Sequence, residues 1–227
     1  MRMEISLRLD DAEFLAGVVV ARDVKLVTTP AGLAQQLNTL VAERSSQDYP
    51  PPPVKEAIRH MLRRGGFRPA GRNKPASEYL AQAAHEGRFP RINNLVDINN
   101  LLSLESGLPI SLLDLAAVGS SAEIRYGREG EKYVFNAAGQ EIELAGLVCV
   151  CGWPGGEGSP SIPLGNPVKD SMAGKIKDHT IGVIGVVYGS TAGLDAAAMA
   201  RLLAEFTQLL KQYAGANEIE SRVLSGK

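Results

Sequence analysis

Cysteine, histidine, aromatic residues and a surplus of either charge are all scarce in this 227-residue chain. It has two cysteines, three histidines and one tryptophan, and aromatics make up 5% of its residues. Cys149 and Cys151 are two apart in Leu-Val-Cys-Val-Cys-Gly. On a strand such a pair faces the same way, and the geometry disfavours a bond between them. A thiolate metal site would need a second cysteine pair, and His60, His85 and His179 lie far from this one in sequence. The pair is expected to be two small apolar core residues in a reducing compartment. No metal and no cofactor are expected. Lys plus Arg number 24 against 25 Asp plus Glu, a net charge of −1. That balance argues against a non-specific nucleic-acid binder, so DNA is not an expected partner, while a local basic patch remains open. No apolar run approaches the roughly 18 residues of a membrane span. The start, Met-Arg-Met-Glu-Ile-Ser, lacks the basic, apolar and cleavage regions of a secretion signal. A cytoplasmic protein with no membrane partner is expected.

What is present is a chain with 44% hydrophobic residues, 24 glycines and 13 prolines, expected to form a single domain over 1–227. Gly17 to Ala21 is β-branched and bounded by charges, the mark of a buried strand, and Val24 to Val27 reads as a second short one. Pro30 to Arg44 has helical apolar spacing, with Thr29 as N-cap. The run Tyr49-Pro-Pro-Pro-Pro53 reads as a rigid connector or the entry to the next helix, Val54 to Arg64, which Gly65-Gly66 stops. Ser77 to His85 and Ile92 to Leu104 read as helices, the second ended by Gly107 and Pro109. The second half turns to strands: Glu123 to Tyr126, Lys132 to Phe135, Glu141 to Leu144, Leu147 to Cys151 and Gly182 to Tyr188. Hairpin turns are expected at 127–130 and 137–139. Trp153 to Asn166 reads as a loop, Leu194 to Tyr213 as a closing amphipathic helix, and 214–227 as a polar, frayed tail. The expected fold class is α+β: helices concentrated in the first half, a mixed and mainly antiparallel sheet in the second.

Two concentrations of polar residues stand out. Lys55, Arg59, Arg63, Arg64, Arg68, Arg72 and Lys74 form the clearest basic cluster, readable as a solvated face or as a phosphate-binding patch for an RNA end. Arg72, Lys74, Ser77 and Glu78 are candidates to hold a phosphate or ribose. Asn93, Asn94, Asn99 and Asn100 interrupt an apolar helix. Asparagine competes for backbone groups there, so four of them need a reason, either capping and buried hydrogen bonding or ligand binding. Asp97 reads as a brace. Lys169, Asp170 and Ser171 could form a polar triad in a loop or a solvated pair. Ser111 has no histidine in a context that would activate it as a nucleophile.

The segment Arg91 to Asp114 resembles the signature of the B3/B4 editing domain of bacterial phenylalanyl-tRNA synthetase beta chains. The matching residues, in register without a gap, are Val96, Asp97, Ile98, Asn100, Glu105, Gly107, Pro109, Ile110 and Asp114. Leu147 to Cys151 resembles the strand before that family's glycine-rich loop, and Thr180 to Tyr188 its closing strand. The resemblance covers about 14–190. The proline run and last helix suit a free-standing version, and no ATP-binding signature is apparent. The resemblance implies metal-free hydrolysis of a mischarged aminoacyl-tRNA. Asn100, Ser111 and Asp170 are then the catalytic candidates, and Asn93, Asn94, Lys169, Ser171, Arg72, Lys74 and Glu78 the substrate-binding ones. The family histidine falls on Ser111 and its tyrosine-reading glutamate near Ser171, so tyrosine specificity does not transfer. A trans-acting editing hydrolase is the leading expectation. The alternatives are a non-catalytic module that holds a tRNA acceptor end or a free amino acid, or docks on a synthetase, and a small-molecule hydrolase on the same fold.

Overall fold

A computed structural model describes residues 2–45, 48–156 and 159–226. Seventeen elements run in order: β1 (Glu4–Arg8), β2 (Phe14–Arg22), α1 (Ala31–Ser45), α2 (Pro52–Arg64), a 3-10 turn (Gly71–Asn73), α3 (Ala76–His85), α4 (Asn94–Ser106), β3 (Ile110–Asp114), α5 (Leu115–Val118), β4 (Ser121–Tyr126), β5 (Lys132–Val134), β6 (Glu141–Glu143), β7 (Val148–Gly152), β8 (Ile162–Gly165), β9 (Gly182–Ser190), α6 (Ala196–Ala214) and β10 (Glu218–Ser225). The fold is α+β: of the six α-helices among the described residues four lie in the first half, and antiparallel-rich sheets are carried mainly by the second.

Two four-stranded sheets organise the chain, in the orders β10-β2-β9-β3 and β1-β4-β7-β8, with β5 and β6 forming a separate hairpin. The first sheet is antiparallel throughout. In the second, only β1 and β4 are parallel. The central strands β2 and β9 are buried along almost their whole length, as expected of apolar β-branched runs covered on both faces. α6 packs across β2 and β10. Two glycines admit it. A Cβ on Gly17 would stand 2.6 Å from Met199 Sδ, and one on Gly185 2.6 Å from Phe206 Cε1. α4 lies inside the protein, against α6, α1, α3 and β3, and ten of its thirteen residues are buried. Gly107 ends it at φ 74°, a left-handed turn that favours glycine, with its N–H on Ser103 O.

Several sequence expectations are corrected. The supposedly frayed tail is β10, which pairs with β2 from Glu218 opposite Arg22 to Ser225 opposite Leu15. Its burial pattern is half-exposed, which is why an edge strand reads as merely polar. Residue 227 lies outside the described residues. The loop after Trp153 contains β8, anchored on β7, and its residues 157 and 158 also lie outside the described residues. Val24 to Val27 is not a strand: Asp23 turns the chain at φ 58°. Thr29, expected to cap α1, donates its hydroxyl to Asp97 Oδ2 at 2.7 Å. β1 and β3 had no clear signal, being too short for a decisive alternation. The proline run proves to be a helix entry, with Pro52 opening α2.

Candidate functional site

A cavity of about 420 Å³ opens between α3, α4, β3 and the loop that follows β8. Leu80, Val96, Ile110, Leu112, Val168 and Ile176 make its walls apolar, while Asn93, Asn99, Asn100, Ser103, Asp170 and Lys175 bring polar groups to it. Ile92, 62% exposed, forms an apolar lip. A mostly apolar concavity with a few convergent polar groups is the usual form of a small-ligand site.

Asp170 is held from below. Its Oδ1 accepts from Ser111 Oγ at 2.6 Å and from Asn166 N at 3.2 Å, and its Oδ2 accepts from Leu112 N at 3.3 Å. Ser111 Oγ is also 2.8 Å from Tyr188 Oη. A hydroxyl has one proton, and that of Ser111 serves Asp170, so Tyr188 donates to Ser111. The relay Tyr188 to Ser111 to Asp170 fixes the carboxylate in one orientation. It needs a glycine beside it: a Cβ on Gly165 would lie 2.8 Å from Asp170 Oδ1 and 3.0 Å from Ser111 Oγ. Burial pushes the Asp170 carboxyl up to about 6, against its hydrogen bonds from Ser111, Asn166 and Leu112 and the positive charge of Lys175. Burial also raises the Tyr188 phenol well above its usual range.

α4 supplies the opposite wall. Asn93 caps the helix, accepting from Val96 N at 2.9 Å, and also lines the cavity. Asn99 Nδ2 makes a long hydrogen bond of 3.4 Å to Ile110 O, and its Oδ1 is buried without a partner. Asn100 lines the cavity and makes no side-chain hydrogen bond among the described residues. Lys175 Nζ donates to Phe135 O at 2.7 Å. Lys169 stacks its ammonium 4.3 Å from the centroid of the same Phe135 ring. Burial, with the Arg72 charge nearby, holds Lys169 below the usual lysine range. Arg72 lies in the 3-10 turn that meets the cavity-lining Tyr79, whose Oη donates to Gly71 O at 3.3 Å. Lys169, between the cavity-lining Val168 and Asp170 in sequence, thus lies within the field of the Arg72 charge.

The structure thus brings Asn93, Asn100 and Asp170 into one cavity, with Lys169 and Arg72 beside it. Other sequence candidates go elsewhere. Ser111 is fully buried beneath Asp170 and does not reach the cavity, so it serves as a support. Asn94 Oδ1 accepts from Val27 N at 3.0 Å, and its Nδ2 donates to Lys25 O and Tyr213 O, both at 2.8 Å. It ties α4 to two other segments, away from the cavity. Glu78 holds Arg59 in a two-pronged ion pair at 2.6 and 2.7 Å. Lys74 bonds Gln82 and lies 4.7 Å over the Tyr79 ring. Ser171 is buried and accepts from Gly174 N at 3.0 Å. The basic cluster also shrinks, because Arg64 pairs with Asp11 and Glu13. Lys55, Arg63, Arg68 and Arg72 have no ion pair among the described residues.

Sequence reading missed Lys175, Tyr188 and the acceptor role of Asn99. Tyr188 carried a signal, as a phenol within the otherwise apolar β9. Lys175 sat in a loop whose path was not readable. Cys149 and Cys151 are buried core thiols, the latter pushed up to about 12 chiefly by burial, so neither is a nucleophile. Among the described residues no group of three or more His, Cys, Asp or Glu side chains is placed to hold a metal ion. No helix among them is long and apolar enough to cross a membrane.

Residues 53–159 match the model of the B3/4 domain. The stretch includes Asn93 to Ser111 but ends before Asp170 and Lys175. The phenylalanine–tRNA ligase beta subunit of Bartonella henselae is 30% identical over 94 residues, covering 37% of this chain and 12% of that protein. The corresponding subunit of Pseudomonas fluorescens strain Pf0-1 is 32% identical over 72 residues, covering 32% of this chain and 9% of that protein. The chain therefore spans a small part of the curated relatives it matches. Among solved structures, an N-terminal fragment of the phenylalanyl-tRNA synthetase beta subunit from Pyrococcus horikoshii superposes with a TM-score of 0.44 at 10% identity. That match covers 96% of this chain and 52% of the fragment.

Proposed function

We propose, from the match of residues 53–159 to the B3/4 domain model and the partial similarity to phenylalanine–tRNA ligase beta subunits, that the cavity receives the aminoacyl end of a mischarged tRNA and hydrolyses the ester. One observation carries the reading: a fixed, partly buried carboxylate, Asp170, and the amide of Asn100, which has no hydrogen bond among the described residues, line one mostly apolar cavity. Ester hydrolysis needs a base for water and a donor for the developing oxyanion. With its pKa near 6, Asp170 is mostly ionised at neutral pH and basic enough to accept a proton. Water adds to the ester carbonyl carbon and its proton passes to Asp170. The Asn100 amide donates to the oxyanion. The intermediate then expels the ribose oxygen, which takes the proton back from Asp170. The products are a free amino acid and a tRNA with its terminal hydroxyl restored. Arg72 and Lys169 repel each other beside the mouth, and a phosphate of the acceptor end between them would relieve this.

Incubation of the purified protein with a panel of mischarged tRNAs tests the proposal. Loss of ester above the buffer rate is expected for at least one pair, and about a hundredfold less with D170N. The rate should climb as pH rises through about 6, where Asp170 loses its proton, and then level off. No acceleration for any pair would sink the hydrolase. A second reading is favoured by one specific observation: among the described residues no histidine lines the cavity, and the position of the signature's histidine holds the buried Ser111. In that reading the protein binds the aminoacyl end or a free amino acid without turnover. Binding of aminoacyl-adenosine analogues with no hydrolysis would establish it.

A further inference from the structure

The cavity contains two polar groups that the hydrolytic scheme does not use, and they make complementary demands. Asn99 Oδ1 is an acceptor, buried and without a partner, on a residue only 9% exposed. Turning the amide over would not help, since it would aim the oxygen at Ile110 O and orphan the NH2 group instead. Lys175 is the complement. An ammonium has three donors, and Phe135 O takes one. The side chain makes no ion pair among the described residues. Asp170, the carboxylate lining the same cavity, already accepts from Ser111, Asn166 and Leu112. An orphaned buried acceptor such as Asn99 Oδ1 is costly unless a ligand completes it, while Lys175, only partly buried, keeps two donors for an anion. An occupant fitting both brings a donor to Asn99 and an anion to Lys175. The remaining wall is mostly apolar, as at Val96, Leu112 and Ile176, with Asn100, Ser103 and Asp170 also lining it.

We propose that Asn99 and Lys175 make this cavity selective for an amino-acid ligand bearing a carboxylate, its ammonium on Asn99 Oδ1 and its carboxylate paired with Lys175. The inference rests on the cavity being the aminoacyl site of the preceding section, but not on ester hydrolysis. The carboxylate has two possible sources. An amino acid esterified to RNA has no α-carboxylate, so the anion is then an acidic side chain. A free amino acid offers its α-carboxylate.

Calorimetric titration of the full chain with four compounds distinguishes the sources. Glutamate α-amide keeps only the side-chain carboxylate, and free glutamine only the α-carboxylate. Glutamate has both, and glutamine α-amide has neither. At least one of the two single-carboxylate compounds is expected to bind about tenfold or more tightly than glutamine α-amide, as for one charge-assisted hydrogen bond. Tighter binding of glutamate α-amide identifies an acidic side chain, and tighter binding of glutamine identifies a free amino acid. K175M should erase the discrimination and K175R should keep it, which separates lost charge from lost packing. Equal binding of glutamine α-amide, an unchanged preference in K175M, or no binding of any compound at millimolar concentration would overturn the proposal. Hydrolysis of neutral aminoacyl esters without such a preference would leave the proposed activity standing and remove this inference alone. Carboxylate-dependent binding without hydrolysis would do the reverse.

Discussion

On one face of α4, Asn94 and Asp97 direct their side chains at backbone and hydroxyl groups of other segments. One turn further on, Asn99 and Asn100 face a cavity with most of their hydrogen bonds unmade. All four belong to one run, Asn-Leu-Val-Asp-Ile-Asn-Asn, and all are buried. The first pair closes the fold. Asp97 receives Thr29 Oγ1 and Ile92 N, and Asn94 joins the Val24–Val27 segment to the end of α6. The second pair retains hydrogen-bonding capacity inside the protein. What separates a brace from a site is thus where the partner atoms lie, since all four are short polar side chains in the buried class.

The sharpest way to break this comparison is to truncate one member of each pair. N94A leaves Val27 N, Lys25 O and Tyr213 O without their partner and should cost about 3 kcal/mol or more in urea unfolding. N100A removes no hydrogen bond among the described residues and should cost under about 1 kcal/mol while abolishing hydrolysis. Equal losses of stability would mean that Asn100 is a brace as well. A smaller effect comes from N99L. It removes an unpaired buried acceptor together with the long bond to Ile110 O, so stability should stay within about 1 kcal/mol of the wild type. Binding of carboxylate-bearing amino acids should fall at the same time. A destabilised N99L with intact binding would place Asn99 among the braces.

How much of this was legible in the sequence follows from the same contrast. The run from Arg91 to Asp114 showed that polar residues were buried in a helix, and the helix stop at Gly107 was read correctly because glycine and proline act locally. Which asparagine braces and which binds could not be read. The partners of Asn94 are Lys25, Val27 and Tyr213, and those of Ser111 are Asp170 and Tyr188, all brought near only by the completed fold. The edge strand β10 was missed for a related reason. Its alternation is weak and its stability derives from pairing with β2, some two hundred residues earlier. Glu78 looked like a ribose ligand beside Arg72, but the helical turn of α2 presents Arg59 to it first.

The last turn of α4 provides a third kind of polar group and the mildest test. Glu105 faces Glu205 of α6 beside a groove that Glu43 and Tyr213 also line. Burial, then the charge of Glu105 and a hydrogen bond donated to it, push the Glu205 carboxyl up to about 7. A carboxyl that holds its proton more tightly when folded contributes stability at low pH, and that contribution disappears as pH rises from about 4.5 through about 7. The wild type should therefore lose stability relative to E205Q between about pH 5 and pH 8. The pair is only half-buried, so the difference should be about 0.5–1 kcal/mol, read as a shift of roughly 2 °C in thermal midpoint. Braces such as Asn94 carry no charge and should show no such pH dependence. A pH-independent difference between E205Q and the wild type would mean that Glu105 and Glu205 act by packing alone, leaving α4 with two kinds of polar residue instead of three.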